Sequence, residues 1–401
     1  MAKRFSDESW ARIFNALTNK GEAAYGIPGR DADSFVLGSW NIRKFGALKG
    51  EGGNLRSDGA WALVEKFASA CDLLAIQEVQ SDLASVEELV RRLNKNDADP
   101  YHFIASDVAG KSPGEEGMGE RFAVIFRADI FKPGPIISDI TFDQSAVVER
   151  VNVALAAVRK NIRGEDKSKL NKAYDWFSEF TGFDKSKLPT MFDFVRSPHC
   201  INFSVQGRDG SSQEFACVNA YLVSGSNRDR EREFFALLEW LRNAISGNNF
   251  YNATAAILMA DLNLDFQKDN DVRRLVIEEF VTNLNEKGEG CAINFPFLDR
   301  HLENGVFRTN SRESETYDHI AFFSKDPRFP RGRHNGEAGR NNPDRYDYGM
   351  FDFLRLFRDA GAISGEIGAD YLKFEFDVSD HMPIWVRLPI PQKGQREYHT
   401  D

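Results

Sequence analysis

Cysteine is scarce in this sequence and forms no metal-binding or redox pattern. The four cysteines, Cys71, Cys200, Cys217 and Cys291, are widely separated, and no Cys-x-x-Cys pair occurs. Structural zinc sites need clustered cysteine and histidine, and a disulfide framework needs paired cysteines in an oxidising compartment. We therefore expect buried free thiols and no zinc site.

Long apolar runs and an excess of positive charge are also lacking. No stretch approaches the ~20 consecutive apolar residues of a membrane helix, and the basic start Lys3-Arg4 precedes no apolar signal segment. The net charge of -10 is not typical of a protein that coats polyanions, although an enzyme can confine its basic residues to one face. These absences predict a cytoplasmic protein without a membrane segment, and they say nothing of protein partners.

The sequence does contain an alternation of short apolar strands with helices. Strands are predicted at 35–40, 73–76, 122–126, 200–205, 215–222, 255–260, 317–323 and 384–388. Helices are predicted at 6–20, from Ser57 onward, at 228–245, 270–285 and 350–360, and as an amphipathic pair within 143–180. This order predicts an α+β fold in which two β-sheets pack face to face between helices, with helical insertions.

We expect one catalytic domain at 34–390. A helical extension at 1–33 precedes it, and a polar tail at 391–401 follows it. Insertions are expected at about 140–195, 264–315 and 326–376.

Polar motifs follow the carboxyl ends of five predicted strands. They are Trp40-Asn41-Ile42-Arg43, Ile76-Gln77-Glu78-Val79, Met259-Ala260-Asp261-Leu262-Asn263, Tyr317-Asp318-His319-Ile320 and Ser379-Asp380-His381-Met382-Pro383. A single acidic residue after a strand is usually a cap or turn residue, so each motif alone is weak. Their combination and order carry the information.

This order resembles the endonuclease/exonuclease/phosphatase superfamily, in particular its deoxyribonuclease-I-like branch. The resemblance runs from about Val36 to Leu388 and includes Glu120-Arg121-Phe122 and Arg196-Ser197-Pro198. It implies a four-layer deoxyribonuclease-I-like sandwich of two mixed sheets. It also implies Mg²⁺-dependent hydrolysis of phosphodiesters, with Mn²⁺ as a substitute ion.

The resemblance also assigns site residues. On the metal side it implies Glu78 as the main Mg²⁺ ligand, with Asn41 and Asp380, and oxygen donors of this kind suit Mg²⁺. Asp261 would orient and deprotonate the attacking water, and Asn263 would donate to a phosphate oxygen. His381 would contact the phosphate, and Asp318 would orient it.

Substrate contacts are expected from two groups of residues. The resemblance implies Arg43, Arg196 and Asn219 near the scissile phosphate. Separately, the segment 326–345 is a local basic island, in which Arg331, Arg333 and Arg340 are predicted to grip a phosphate backbone. For an Arg- and Gly-rich segment, a solvated loop without function is the alternative.

The chain departs from the deoxyribonuclease pattern at three positions. Tyr221 replaces a second catalytic histidine, although that histidine's carboxylate partner is retained as Glu120. We expect Tyr221 to donate a hydrogen bond to a phosphate or leaving oxygen, because an ordinary tyrosine pKa near ~10 makes a weak proton shuttle. Gln80 and Met118 replace minor-groove contacts, so the grip on DNA differs or the polymer is not ordinary duplex DNA.

Three functions remain open at this point. The first is an endonuclease acting on DNA or RNA. The second is a phosphatase or phospholipase of the same superfamily, acting on a small phosphoester or a lipid headgroup. The third is a non-catalytic nucleic-acid-binding module, which retention of the six residues Asn41, Glu78, Asp261, Asn263, Asp318 and His381 disfavours.

Overall fold

The computed structural model describes residues 4–46, 48, 56–95, 100–108, 119–140, 194–223, 227–246, 254–265, 291–298, 306–331, 347–363 and 370–395. The helices predicted within 143–180 and at 270–285 lie outside these ranges, as do Met118, Arg333 and Arg340.

Two six-stranded mixed sheets form the centre of the fold. The first has the order β11-β12-β1-β2-β4-β3 and the second β5-β6-β7-β8-β10-β9. The first sheet consists of β1 Ser34–Phe45, β2 Leu73–Gln80, β3 Tyr101–Ala105, β4 Glu120–Arg127, β11 Asp347–Met350 and β12 Ile384–Pro389. The second consists of β5 Phe131–Asp139, β6 His199–Gln206, β7 Ser212–Tyr221, β8 Ala255–Asp261, β9 Ala292–Asn294 and β10 Asp318–Ser324.

Helices cover the outer face of each sheet. Those on the first sheet are α1 Asp7–Lys20, α2 Asp58–Ala68, α3 Ala84–Leu93, α5 Phe353–Asp359 and α6 Tyr371–Asp377. The second sheet packs against α4 Asn227–Ser246. Short 3₁₀ turns occur at Glu22–Tyr25 and Pro296–Leu298.

Strand alternation explains why the layers form. In β7, Phe215 and Cys217 belong to the apolar layer between the sheets, whereas Ala216 and Val218 pack towards α4. Because successive side chains of a strand point to opposite faces, both faces of the sheet are buried. The result is a helix–sheet–sheet–helix sandwich, which confirms the predicted fold class.

The first helix packs directly on α2. Ser6 caps α1 by accepting a hydrogen bond from the backbone N–H of Ser9, and Trp10 lies on the buried face of the helix. The close approach depends on Gly59, because a Cβ there would lie 2.2 Å from Trp10 ring atoms. α1 therefore shares the core of the first sheet's outer layer.

The first sheet is irregular where the polar motifs end β1 and β2. The β1–β2 register shifts between Asn41 and Phe45, and the β2–β4 register shifts between Ile76 and Val79. Glu78 lies within the second shift and has a φ of +56°, a left-handed conformation that costs a non-glycine residue about 1–3 kcal/mol. Such bulges re-aim side chains, and here the re-aimed side chain is Glu78.

All four cysteines are buried free thiols, as expected from their spacing. No helix among the described residues has the length and apolar character needed to cross a lipid bilayer.

Candidate active site

Parallel pairing brings the polar motifs to one edge of the sandwich. β1 runs parallel to β2 in the first sheet, and β7 runs parallel to β8 in the second. The amide of Asn41 on β1 donates to Asp261 Oδ2 on β8 at 2.9 Å and to Glu78 Oε1 on β2 at 3.4 Å. The motifs of the two sheets therefore form one site across the seam between them.

His381 is held by three separate contacts. Its Nδ1 lies 2.9 Å from Asp318 Oδ2, and Asp318 is fully buried. Its backbone carbonyl accepts a hydrogen bond from Trp40 Nε1 at 2.8 Å, and its N–H donates to Ser379 Oγ at 3.2 Å. The remaining ring nitrogen, Nε2, lies 3.6 Å from Asp261 Oδ2. This arrangement fixes the orientation of the imidazole and directs Nε2 towards the centre of the site.

Asp261 and His381 both have shifted pKa values. Burial raises the pKa of Asp261 to about 7, with a further rise from Asp318, while His381 and the hydrogen bonds from Asn41 and Asn263 lower it. Burial lowers the pKa of His381, but the carboxylates of Asp318, Asp261 and Asp380 outweigh burial and raise it well above 6.5. A cationic imidazole thus faces a carboxyl group whose pKa lies near neutrality. These two properties are typical of a general acid–base site.

Glu78 and Asn41 offer oxygen atoms suited to a divalent cation. Glu78 Oε1 accepts from Tyr221 Oη at 2.9 Å, and Oε2 accepts from the backbone N–H of Lys44 at 3.1 Å. Asn41 Oδ1 is buried and has no hydrogen-bond partner among the described residues. An unsatisfied buried amide oxygen beside a carboxylate fits a hard cation such as Mg²⁺.

A second group of potential ligands lies beside this pair. One donor atom each from Asp261, Asp318 and His381 lie within 4.8 Å of one another. Because both ring nitrogens of His381 already face carboxylates, we regard this group as the acid–base part of the site.

Arg43 and Asp380 are brought together by a salt bridge. Arg43 Nη1 lies 2.7 Å from Asp380 Oδ2, and Nη2 lies 2.5 Å from Glu375. Asp380 Oδ1 is buried and has no hydrogen-bond partner among the residues that the structure describes. The roles of Arg43 at the substrate and of Asp380 on the metal side stay predictions, with the two side chains in direct contact.

Three further predicted residues form a stack beside Glu78. Arg196 is 2% exposed, its Nε donates to Glu120 Oε2 at 2.6 Å, and its guanidinium carbon lies 3.9 Å from the centre of the Tyr221 ring. Burial, together with Glu78 and Asp261, raises the pKa of Tyr221 well above 10, so this hydroxyl remains a donor. In this structure Tyr221 donates to Glu78 rather than towards open solvent.

Asn219 requires a correction. It is 0% exposed, accepts a hydrogen bond from Gln77 Nε2 at 2.7 Å, and donates to the carbonyl groups of Ile76 and Ala123, both at 3.1 Å. A side chain without exposed surface, whose amide is used between the sheets, cannot also contact substrate. Asn219 instead joins the second sheet to the first, directly beneath the site.

Asn263 adopts a left-handed backbone conformation after β8. Its φ is +52°, its backbone N–H donates to Asp261 Oδ1 at 2.9 Å, and its side-chain amide donates to the carbonyl of Leu222 at 2.9 Å. Arg230 on α4 donates to the Asn263 carbonyl at 2.5 Å. The helix residue Arg230 was missed from the sequence because no local pattern places it near β8.

The remaining predicted contacts are only partly described. Arg331 is described, whereas Arg333 and Arg340 lie outside the described residues. Within the same basic segment, Arg328 pairs with Asp326 at 2.6 Å. Tyr317, another residue not assigned from the sequence, lies with its ring centre 6.2 Å from that of His381. Its position beside Asp318 in the motif was the available signal.

Comparisons with known proteins find local sequence matches to deoxyribonuclease-1. The chain is 32% identical over 97 residues to deoxyribonuclease-1 of Equus caballus, which is 24% of this chain and 31% of that protein. It is 29% identical over 99 residues to deoxyribonuclease-1 of Homo sapiens, which is 24% of this chain and 32% of that protein. The matches thus span about a third of the length of these relatives.

Solved structures match most of the chain, but at low sequence identity. An endonuclease/exonuclease/phosphatase family protein from Bacteroides thetaiotaomicron is 18% identical with a TM-score of 0.42, covering 89% of this chain and 98% of that one. The human Nocturnin catalytic domain is 15% identical with a TM-score of 0.45, covering 88% and 93%. No protein-family model matches the chain.

The two face-to-face sheets and their flanking helices define the fold, which is a sandwich of the deoxyribonuclease-I-like type. About a quarter of the chain is similar in sequence to deoxyribonuclease-1.

Proposed function

We propose that the chain is a divalent-metal-dependent phosphodiesterase that hydrolyses nucleic acid, with DNA as the expected polymer. The observation that carries the proposal is the meeting of three groups at one seam. These are the buried Asp318–His381 pair, the Asp261 carboxyl with a pKa of about 7, and the Glu78–Asn41 oxygen pair. Together they match the needs of in-line hydrolysis by water: a base, a phosphate-binding cation and a metal site.

The acid–base part works through Asp261 and His381. Asp261, held by Asn41 and by the N–H of Asn263, accepts a proton from the attacking water. His381 is kept cationic by Asp318 and directs Nε2 towards the phosphate, where it stabilises the developing negative charge. Because both groups are fixed before substrate arrives, little reorganisation accompanies the reaction.

The metal part rests on Glu78 and Asn41. These two side chains would hold Mg²⁺ or Mn²⁺, which would supply charge neutralisation at the scissile phosphate and the leaving oxygen. Asp380 provides a further carboxylate nearby, and Arg43 beside it provides a cation for a flanking phosphate. The choice of nucleic acid over a small phosphoester is supported by the deoxyribonuclease-1 matches, although these span only part of those proteins.

The test is a hydrolysis assay on a panel of substrates. Purified protein is incubated with plasmid, single-stranded DNA, RNA, abasic duplex, a small phosphomonoester and a phospholipid, each with Mg²⁺, Mn²⁺ or excess chelator. We expect nicking or shortening of a polymer that needs the metal and is lost in Glu78→Gln. The matched control is Glu65→Gln on α2, whose carboxylate pairs with Arg92 and Lys95 away from the site.

Two results would contradict the proposal. Full activity in excess chelator would exclude the metal site at Glu78 and Asn41. Release of phosphate from the monoester, or cleavage of the lipid, with every polymer intact would favour the phosphatase or phospholipase alternative.

A further inference from the structure

Four side chains form a continuous line of contacts that starts at Glu120 on β4 of the first sheet, passes through Arg196 and Tyr221, and returns to the first sheet at Glu78 on β2. Glu120 Oε2 accepts from Arg196 Nε at 2.6 Å, and the Arg196 guanidinium lies 3.9 Å from the Tyr221 ring centre. The Tyr221 hydroxyl then donates to Glu78 Oε1 at 2.9 Å. The four residues lie on different strands or loops, so their contacts form only in the folded protein.

Glu78, at the end of this line, has a backbone conformation that its surroundings must stabilise. Glu78 has a left-handed φ of +56° inside a register shift, and its carboxylate is the proposed metal ligand. A strained residue keeps its conformation only when its surroundings impose it. Among the described residues, the two oxygens of its carboxylate accept hydrogen bonds from Tyr221, Asn41 and the Lys44 N–H.

We propose that Arg196 and Glu120 are positioning residues that act through Tyr221 on Glu78, and hence on the divalent ion. This inference rests on the proposed function, because it assigns a role toward the metal held by Glu78 and Asn41. In this proposal Arg196 does not contact the phosphate directly; it acts on Glu78 through Tyr221. It also gives Tyr221 a different role from the histidine that it replaces: it serves the metal ligand and not the leaving group.

Burial and geometry favour this role for Arg196. Its side chain is 2% exposed and lies between Glu120 and the face of Tyr221. A planar guanidinium can stack on a ring and bond a carboxylate at the same time, which a lysine ammonium cannot do. Hydrogen-bond partners of metal ligands orient those ligands, and removing one commonly weakens metal affinity about tenfold or more.

The test measures ion binding to the full chain without nucleic acid. The dissociation constant for Mn²⁺ is obtained by calorimetry and by electron paramagnetic resonance. Tyr221→Phe removes the hydroxyl but keeps the ring beneath Arg196, and we expect its dissociation constant to rise about tenfold. The double variant Arg196→Met/Glu120→Gln leaves no buried unpaired charge, and we expect a rise of several-fold. Added to Tyr221→Phe, the double variant should cause no further rise, because both act through one hydroxyl.

The matched control is Tyr101→Phe. Tyr101 is also buried, and its hydroxyl donates to the carbonyl of Cys71 at 3.2 Å, outside the site. Its loss should lower thermal stability and leave Mn²⁺ affinity unchanged. A fall in melting temperature without a change in Mn²⁺ affinity in the Arg196 variant would assign it a structural role only and overturn the inference.

Two further outcomes separate the inference from the proposed function. If the Arg196 variant leaves Mn²⁺ affinity intact but weakens polymer binding and flattens its salt dependence, Arg196 contacts phosphate directly and the inference is wrong. If Glu78→Gln itself leaves Mn²⁺ affinity unchanged, the proposed metal site is wrong and the inference falls with it. Loss of affinity in Glu78→Gln but not in Tyr221→Phe would refute the inference alone.

Discussion

Asp318 and His381 are expected to act as one catalytic unit. Their contact is short, at 2.9 Å, and nearly closed to solvent, since Asp318 is 0% and His381 is 8% exposed. Asp318→Asn can still contact the ring but can favour the wrong tautomer, and in comparable histidine–carboxylate units that change costs about 10⁴-fold in turnover. Loss of the imidazole itself should cost about 10³- to 10⁴-fold, equivalent to roughly 4–5 kcal/mol of transition-state stabilisation.

The turnover of the double variant distinguishes joint action of Asp318 and His381 from independent action. If Asp318 works only through His381, Asp318→Asn/His381→Gln should be no slower than the slower single variant. Independent action predicts the product of the two losses, about 10⁷- to 10⁸-fold. Turnover is measured at saturating metal on the best polymer of the substrate panel, and thermal melts of each variant confirm folding. His381→Gln is preferred to alanine because its amide can still donate to Asp318, which would otherwise remain as a buried unpaired charge.

A second histidine–carboxylate pair, in which the histidine is buried and the carboxylate is partly exposed, serves as the control. His199 Nδ1 lies 2.8 Å from Asp139, and His199 is buried at the start of β6. His199→Gln should lower stability to a similar degree while leaving turnover unchanged. Losses that multiply in the Asp318/His381 cycle, or an equal loss of turnover in His199→Gln, would refute the reasoning.

Three further predictions concern the scaffold. Burial lowers the pKa of His319 to about 4, so its contribution to stability is present above pH 6.5 and is lost as the pH falls towards 4, by about 2 kcal/mol at pH 5. His319→Leu should flatten this part of a pH series of urea unfolding, and an unchanged slope would contradict the assignment. Gly59→Ala places a Cβ against Trp10 and should cost about 1–3 kcal/mol, with a change in tryptophan fluorescence; an unchanged melting temperature would argue against tight packing of α1 on α2. Asn219→Leu should cost about 1–3 kcal/mol, because the amide of Gln77 loses its shortest acceptor and two buried carbonyl groups lose a donor, with KM unchanged in steady-state kinetics; a large rise in KM would restore the substrate contact.

Central strands were predictable from the sequence because both of their faces are buried. β8 was predicted at 255–260 and extends over Ala255–Asp261, and α4 was predicted at 228–245 and extends over Asn227–Ser246. The edge strand β5 was not predicted from the sequence. β5 contains Pro133 and Pro135 and is largely exposed, so its composition argues against a strand, although an edge position tolerates proline.

For the site, the motif order identified the residues but not their contacts. Asp318 beside His381 followed from the resemblance. The pairing of Arg196 with Glu120 joins residues 76 positions apart, and no local pattern predicts it. The same holds for Asn219, which the motif order placed near the substrate, although strand pairing buries it between the sheets.

The seam between the two sheets has a consequence for how this protein tolerates mutation. Glu78 and Asn41 belong to one sheet, Asp261 and Asp318 to the other, and the apolar layer between them includes Ala75 and Met259. The thickness of that layer therefore sets the distance between the proposed metal ligands and the proposed base. A change of side-chain volume there, far from any substrate, would alter this spacing by tenths of an ångström and reduce turnover before it unfolds the chain. Selection on catalytic rate should thus act on the volume of the interior residues as well as on the polar residues of the site.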